Sequence, residues 1–402
     1  MNQNYNNLPK SFRQVFSEVS QQAETVGIDA KVLQALLIQP LISDHFNEAQ
    51  EITNHRMDEL RTACRKDATK IMRLLAKLSL LQLVDVLLRF RAATTPWQKT
   101  RLRLVLCGDD SLLVHAEESN QTDVANLWST LYKTYRKSHD LIVLGVTVGP
   151  GRGTFFFPLW VELWRQPSLR KQTRPERMAA ALRRLNQELE AYDLSLEGID
   201  FATDNGYLSP TVAKAVKECK LVMTTKLKST QEVTLPSAEK LKIADLRKTM
   251  PSRDIRHDPR AGPQAYYWRT EVSHPYLGTG TLVIQRRQLR SGSFQYHYHF
   301  SQQQNAKAIT VLQIAARRWP IEVFFREGKQ KLGLGHLPYR KWSSLRGHVA
   351  VRGLLYWMLC QVRSKLRFKR RLTTIGALKR RFRVVFFSLF QSLFPLAEAG
   401  IA

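Results

Sequence analysis

From Leu102 onward the chain alternates short apolar runs with helical stretches, and this order constrains the fold more than any other feature. Leu102–Cys107, Leu141–Val148 and Thr154–Trp164 read as strands, with Pro158 in the third arguing for an edge position or a bulge. A helix follows from Pro175 to Tyr192, then a strand over Leu196–Asp204. The next helix is entered with Ser209 as N-cap and Pro210 in its first turn, and a fifth strand covers Lys220–Leu227. Three strands, a helix, a strand, a helix and a strand predict an α/β sheet with helices packed on its faces.

The flanks differ from this centre. Residues 1–97 read as all-helical: Ser11–Val19 and Phe46–Lys77 are amphipathic, and Ser79–Arg89 is a buried helix capped by Ser79 or a nearby turn. Thr94-Thr95-Pro96-Trp97 breaks the pattern and marks a boundary. After the first part of the core, 98–227, residues 228–305 read as a β-rich insertion. Its runs Tyr266–Val272, Gly280–Arg287 and Phe294–Phe300 alternate and are separated by Gly, Ser and Pro. Ser252–Gly262 reads as a mobile loop. Helices return over 306–366, including Trp342–Leu366, and 367–402 forms a basic tail. There is no internal repeat and no low-complexity tract.

Charge narrows the partners. Among 402 residues, Lys+Arg number 62 against 34 Asp+Glu, a formal net charge of +28. So large an excess repels itself unless a polyanion relieves it. Nucleic acid is the first candidate, since its phosphates bind Lys and Arg with release of counterions. An anionic membrane is the second, but no apolar run is long enough to span a bilayer and the start of the chain does not read as a signal peptide. Cys64, Cys107, Cys219 and Cys360 stand far apart, which argues against a zinc site or a disulfide framework and for a reducing, cytoplasmic compartment. Arg363–Arg383 holds ten Lys/Arg and no acid, a pattern that favours phosphate contact over a merely solvated face. The apolar Val384–Phe390 is too short for a span and is expected to pack on the core or on a second subunit.

Chemistry enters with Ala315–Gly333. Read as one helix, it aligns Ile321, Phe325, Gly328 and Leu332 on an apolar stripe, with Arg318, Glu322, Arg326 and Lys329 on a stripe beside it. Taken alone this is an ordinary amphipathic helix with i,i+4 ion pairs. Two strands, however, end in aspartate: one at Asp109-Asp110, with Asp110 preferred, the other at Asp204. Single aspartates after strands are more often turn formers or caps. Three carboxylates from two strand ends and a helix can also share two divalent cations, Mg²⁺ with Mn²⁺ as substitute, which clamp the attacking and leaving oxygens of a phosphoryl displacement.

These residues resemble the DDE transposases of bacterial insertion sequences, and insertion-sequence family four in particular. Its signature, Tyr-x2-Arg-x3-Glu-x6-Lys, is matched in type and spacing by Arg318, Glu322 and Lys329, with Trp319-Pro320-Ile321 also similar; the tyrosine position holds Ala315. Gly108-Asp109-Asp110-Ser111 is similar to the family's first aspartate motif, and Asp204-Asn205-Gly206-Tyr207 to its second. A β-rich insertion between the second aspartate and the glutamate is a further likeness. The resemblance spans roughly residues 100–365. It implies an RNase H-like core, Asp110, Asp204 and Glu322 as catalytic metal ligands, and Arg318, Arg326 and Lys329 on DNA phosphates. It also implies a homodimer on terminal inverted repeats and target DNA, in a bacterial, nucleoid-associated setting. Helices of 1–97 would read the ends. The alternatives are an RNase H-like nuclease that does not join, and a DNA-binding protein descended from a transposase.

Weaker signals stand apart. His297 and His299 share one face of a strand, where a plain strand outweighs a ligand pair with no third ligand near. Tyr267 and Trp268 can stack on a base, but packing inside the insertion is the expected role.

Overall fold

The computed structural model describes residues 10–42, 48–95, 103–115, 124–129, 131–149, 155–164, 172–251, 254–258, 265–335, 341–365 and 375–380. The first helices among the described residues are α1 (Lys10–Thr25), α2 (Ala30–Ile42) and α3 (Glu48–Ala92). Helix α1 buries Phe12, Val15, Phe16, Val19 and Ala23, the spacing of a single apolar stripe. Helix α3 runs 45 residues without interruption, so Ser79 is no cap. It lies in the helix interior, fully buried, and its hydroxyl donates to the Pro158 carbonyl at 2.7 Å.

Among the described residues the sheet carries twelve strands. They are β1 (Leu104–Val114), β2 (Ala125–Ser129), β3 (Thr134–Val148), β4 (Phe155–Trp164), β5 (Asp200–Thr203), β6 (Val222–Leu227), β7 (Glu232–Thr234), β8 (Lys240–Lys242), β9 (Arg256–His257), β10 (Ala265–His274), β11 (Gly278–Gln288) and β12 (Phe294–Ser301). The order is β2-β3-β1-β5-β6-β12-β11-β10-β7-β8, with β4 on β3 and β9 on β10. β1, β5 and β6 are mutually parallel, and the other pairings are antiparallel. Helix α4 (Arg174–Glu190) has Thr173 as N-cap in a capping box with Glu176, and α5 (Pro210–Glu218) is capped by Ser209. Pro158 sits where expected: among the described residues β4 pairs only with β3, and the register slips between Leu144 and Gly145, opposite Pro158.

Four expectations change. The first strand does not stop at Cys107 but runs on to Val114, so Asp109 and Asp110 lie inside β1. The reason is pairing: β3 begins at Thr134 rather than Leu141 and carries hydrogen-bonded partners for the whole length of β1. The hairpin partner β2 was not foreseen. The insertion strands do not interrupt the sheet; β12 lies antiparallel to β6 and extends it, with Phe300↔Thr225 in register. Finally, Ala315–Gly333 is two helices, α6 (Ala308–Ala316) and α7 (Trp319–Lys331). Pro320, in the first turn of α7, has no N–H for the preceding turn and its ring crowds Ala316, so the chain breaks at Arg317-Arg318.

Helix α8 (Trp342–Lys365) binds the halves together. Nearly all of Ser344–Val362 is buried, between α3 on one side and β4 on the other. Gly353 marks the closest approach, where a Cβ would stand 3.0 Å from Leu75 and 3.5 Å from Val161. Fully buried side chains such as Leu354, Trp357 and Leu359 each contribute about 1.5–3 kcal/mol.

Cys107, Cys219 and Cys360 are buried free thiols, while the Cys64 side chain lies outside the described residues. Lys369–Arg371, Val384–Phe390 and parts of the Ser252–Gly262 stretch also lie outside them, though Arg256 and His257 pair with β10. Within the basic tail, Lys379 turns inward: it is buried and donates to the Lys331 carbonyl at 3.1 Å. Among the described residues no helix is long and apolar enough to cross a membrane.

Candidate active site

The register of two parallel strands builds the site. Gly108 of β1 pairs with Thr203 of β5, and the Thr203 hydroxyl donates to the Gly108 carbonyl at 2.9 Å. The next residues, Asp109 and Asp204, therefore leave on the same face, and Asp110 leaves on the other. Gly108 also lets α4 come close, since a Cβ there would meet Met178 at 2.9 Å. Asp204 caps the 3₁₀ turn Asn205–Tyr207, accepting from the Gly206 N–H at 2.8 Å. Its own carbonyl accepts from Thr225 Oγ1 at 3.0 Å, which ties the turn to β6.

The break between α6 and α7 supplies the rest. The Arg317 carbonyl accepts from Thr147 Oγ1 at 3.0 Å and from Cys107 Sγ at 3.4 Å, so the break is pinned to β3 and β1. Arg318 then turns its guanidinium inward, only 12% exposed, between two carboxylates. It donates to Asp109 Oδ2 in a very short contact and to Glu322 Oε1 at 2.6 Å. Glu322 stands in the first turn of α7, where the helix dipole favours a carboxylate. Asp109, Asp204, Arg318, Glu322, Phe325 and Lys329 all line one hollow of about 720 Å³.

Asp110 lines this hollow too, and so does the cation that holds it. Arg174, the first residue of α4, donates to Asp110 at 2.9 Å and to the fully buried Asp140 at 2.7 Å. Arg174 and Asp140 were not anticipated from the sequence. A cation in the first turn of a helix opposes the dipole, and that misplacement was the available signal. Lys329 also has partners in the protein: its ammonium donates to Ser111 Oγ at 2.8 Å and to the Leu112 carbonyl at 2.6 Å, which fastens α7 to β1. Arg326 is exposed and does not line the hollow. On α7 it lies 100° from Phe325, which does. Glu327, another carboxylate of α7, is buried away from the hollow and accepts from the Ile375 N–H at 3.2 Å.

Electrostatics single out Asp109. Burial pushes its carboxyl up to about 8, against the pull of Arg318 and with help from the neighbouring charges of Asp204 and Asp110. Burial raises Asp204 as well, countered by the Gly206 N–H. Burial would lower Arg318, but Asp109 and Glu322 outweigh it and hold the guanidinium above its ordinary value. Burial lowers Lys329, with the Asp140 charge opposing.

These donors suit a hard divalent cation in kind, since they are carboxylate oxygens and two of them are costly to ionise without one. As the side chains stand, however, no three His, Cys, Asp or Glu among the described residues are close enough together to hold a metal ion. The positive charge between Asp109 and Glu322 is that of Arg318.

A second hollow of about 420 Å³ lies across Arg318, lined among others by Lys226, His297, His299, Ala315 and Trp319. Ala315 thus borders an open space next to Arg318. His299 is buried, and burial holds it down at about 3. His297 and His299 lie on one face of β12 with ring centroids 6.4 Å apart. Trp268 packs on the main core and Tyr267 on a small cluster around Val283 and Val311.

Residues 170–358 match the family model described as transposase DDE domain. The match takes in Arg174, Asp204, Arg318, Glu322 and Lys329, and begins after Asp109 and Asp110. The likeness is thus to a domain of DNA transposition and recombination. A search of curated proteins found no match.

Proposed function

We propose that the chain is a DDE transposase that cuts DNA at the ends of a mobile element and joins the freed 3′-OH to a target. One observation carries this: Asp109, Asp204, Arg318 and Glu322, from two strands and a helix, meet around one hollow. The match over residues 170–358 and the net charge of +28 support the same reading. The run β4-β3-β1-β5-β6, antiparallel on one side of β1 and parallel on the other, supports an RNase H-like core. Assignment to insertion-sequence family four, a bacterial host and action as a homodimer on terminal inverted repeats extend the proposal.

In this reading Asp109, rather than Asp110, is the first carboxylate, because it shares a face with Asp204 and accepts a hydrogen bond from Arg318, which also holds Glu322. Asp109, Asp204 and Glu322 would hold Mg²⁺ or Mn²⁺, which when bound activates the attacking oxygen and stabilises charge on the phosphate. For the carboxylates to turn to an ion, Arg318 must release at least one of them. Its guanidinium, always charged and fork-shaped, is then free to take a phosphate oxygen of the strand being cut. Asp110, paired with Arg174, holds β1 to α4. Lys329 sets the distance between α7 and β1, and Arg326 reaches a phosphate outside the hollow.

The test is an incubation of the protein, with Mg²⁺ or Mn²⁺, on plasmid carrying the DNA that flanks its coding region. Joined products support transposition, and cleavage without joining would reduce the function to a nuclease. A gel shift with no cleavage under either ion refutes the catalytic reading.

A further inference from the structure

The β2–β3 hairpin has a tip unlike the rest of the surface. Trp128, Leu131, Tyr132 and Tyr135 lie within eight residues and are 51%, 80%, 52% and 67% exposed. Single exposed apolar residues are ordinary, but four together on a hairpin at the edge of a sheet are a liability unless something covers them. The tip is ordered by its own contacts. Trp128 and Tyr135 are cross-strand partners with rings edge-on at 5.4 Å. The Arg136 guanidinium stands 5.3 Å over the Tyr132 ring. Lys133 takes a left-handed conformation, φ 54°, and its N–H closes the turn on the Ser129 carbonyl at 2.9 Å.

Its charge and its place say what covers it. From Ala125 to Ser138 the hairpin carries Lys133, Arg136 and Lys137 and no acid. Trp128, Leu131 and Tyr132 line the same hollow as Asp109, Asp204 and Glu322. Flat aromatic faces interleaved with cations suit a polyanion that carries flat rings, which is single-stranded or locally unpaired DNA. A volume of about 720 Å³ is about 9 Å across, or two to three nucleotide steps of about 3.4 Å. The covered bases therefore neighbour the phosphate at the carboxylates.

We propose that the β2–β3 tip is a base-stacking platform, with Trp128 and Tyr132 holding bases unstacked from the duplex beside the phosphodiester in the hollow. The inference rests on the DNA-cutting reading for its location but not for its test. The probes are a fully paired duplex and the same duplex with a short single-stranded overhang, each carrying 2-aminopurine near the junction. Full-length wild type, Trp128→Ala, Tyr132→Ala and Trp128→Phe are titrated without divalent ions. Each alanine variant is expected to lose about 5- to 100-fold in affinity for the overhang duplex, and the change in 2-aminopurine fluorescence with it. Affinity for the paired duplex stays within about twofold, and Trp128→Phe, which keeps a ring, restores most of the overhang binding. Equal losses on both probes, or none on either, overturn the platform. So does a tip whose alanine variants turn a dimer into a monomer in sedimentation, since a second copy of the chain would then cover it. If wild type never cuts DNA yet binds overhangs through Trp128, the platform stands and the transposase reading falls. If wild type cuts and Trp128→Ala binds overhangs as well as wild type, only the platform falls.

Discussion

Replacing Asp109 by asparagine should stabilise the protein, and more so at higher pH. The carboxyl ionises at about 8 in the folded chain against 3.8 for an unburied aspartate, so folding at neutral pH requires taking up a proton. Below 3.8 the acid is neutral in both states and there is no penalty. As pH rises from there toward about 8 the penalty grows, by about 1.36 kcal/mol per pH unit. It reaches roughly 4 kcal/mol at pH 7 and about 2 kcal/mol at pH 5. The amide is the neutral isostere of the acid and keeps an acceptor for Arg318. Relaxation and water entry reduce such penalties, so a gain of about 2 kcal/mol at pH 7 and about 1 kcal/mol at pH 5 is expected. Urea unfolding in EDTA from pH 5 to pH 8, wild type against Asp109→Asn, measures it. Mg²⁺ should then raise the wild-type midpoint and leave that of the variant unmoved, because only a bound ion stabilises the fold by mass action. Equal stability across the pH range, or a variant weaker at pH 7, would refute the view that burial governs Asp109. The same substitution is expected to end cleavage, the trade of function for stability usual at buried charged sites.

Other substitutions follow from the same contacts. Asp204→Ala and Glu322→Ala should abolish DNA cleavage while leaving gel-shift affinity near wild type, since Lys and Arg dominate affinity; retained cleavage in either removes that residue from the site. Arg318→Ala should lower cleavage at least tenfold and also raise the affinity of the free protein for Mn²⁺, read by electron paramagnetic resonance, because the competing guanidinium is gone. Unchanged Mn²⁺ affinity would mean the guanidinium does not stand in the ion's way. Lys329→Met loses two hydrogen bonds to β1 and should cost about 2–3 kcal/mol in urea unfolding, whereas a residue that served only DNA would show no such loss. Gly145→Ala drives a methyl into the Phe156 ring and against the Phe157 carbonyl, so a loss of about 3 kcal/mol is expected, with soluble yield as a first check.

The sequence made some of this visible and hid the rest for physical reasons. Ser209-Pro210 announced a helix start because capping chemistry is local, and Leu141–Val148 announced a strand because it is apolar at all but Thr147. Asp109 against Asp110 was not legible. Neighbours on a strand point to opposite faces, and only the register of β1 on β5 says which face meets Asp204. Arg326 lies off the hollow although it shares α7 with Glu322, and the break before Trp319, which decides where Arg318 points, is set by packing on β1 and β3 rather than by the helical period. Strand β2 and the first half of β3 went unread, since Lys133 and Thr134 between exposed aromatics give no alternation toward a core. The joining of β12 to β6 is a long-range pairing that no local pattern records.

That joining has a geometric consequence. Neighbouring strands rotate by about 20–25° in one sense, so five steps from β1 through β5, β6, β12 and β11 to β10 accumulate roughly 100–125°. At that average twist the strands at the far end would run nearly crosswise to the one that carries Asp109. A straight rod laid along β1 would meet β10 broadside, as a shaft meets the next blade of a propeller. A double helix held at the carboxylates would present its flank to those far strands, and a single rigid sheet would fix the angle between the two contacts.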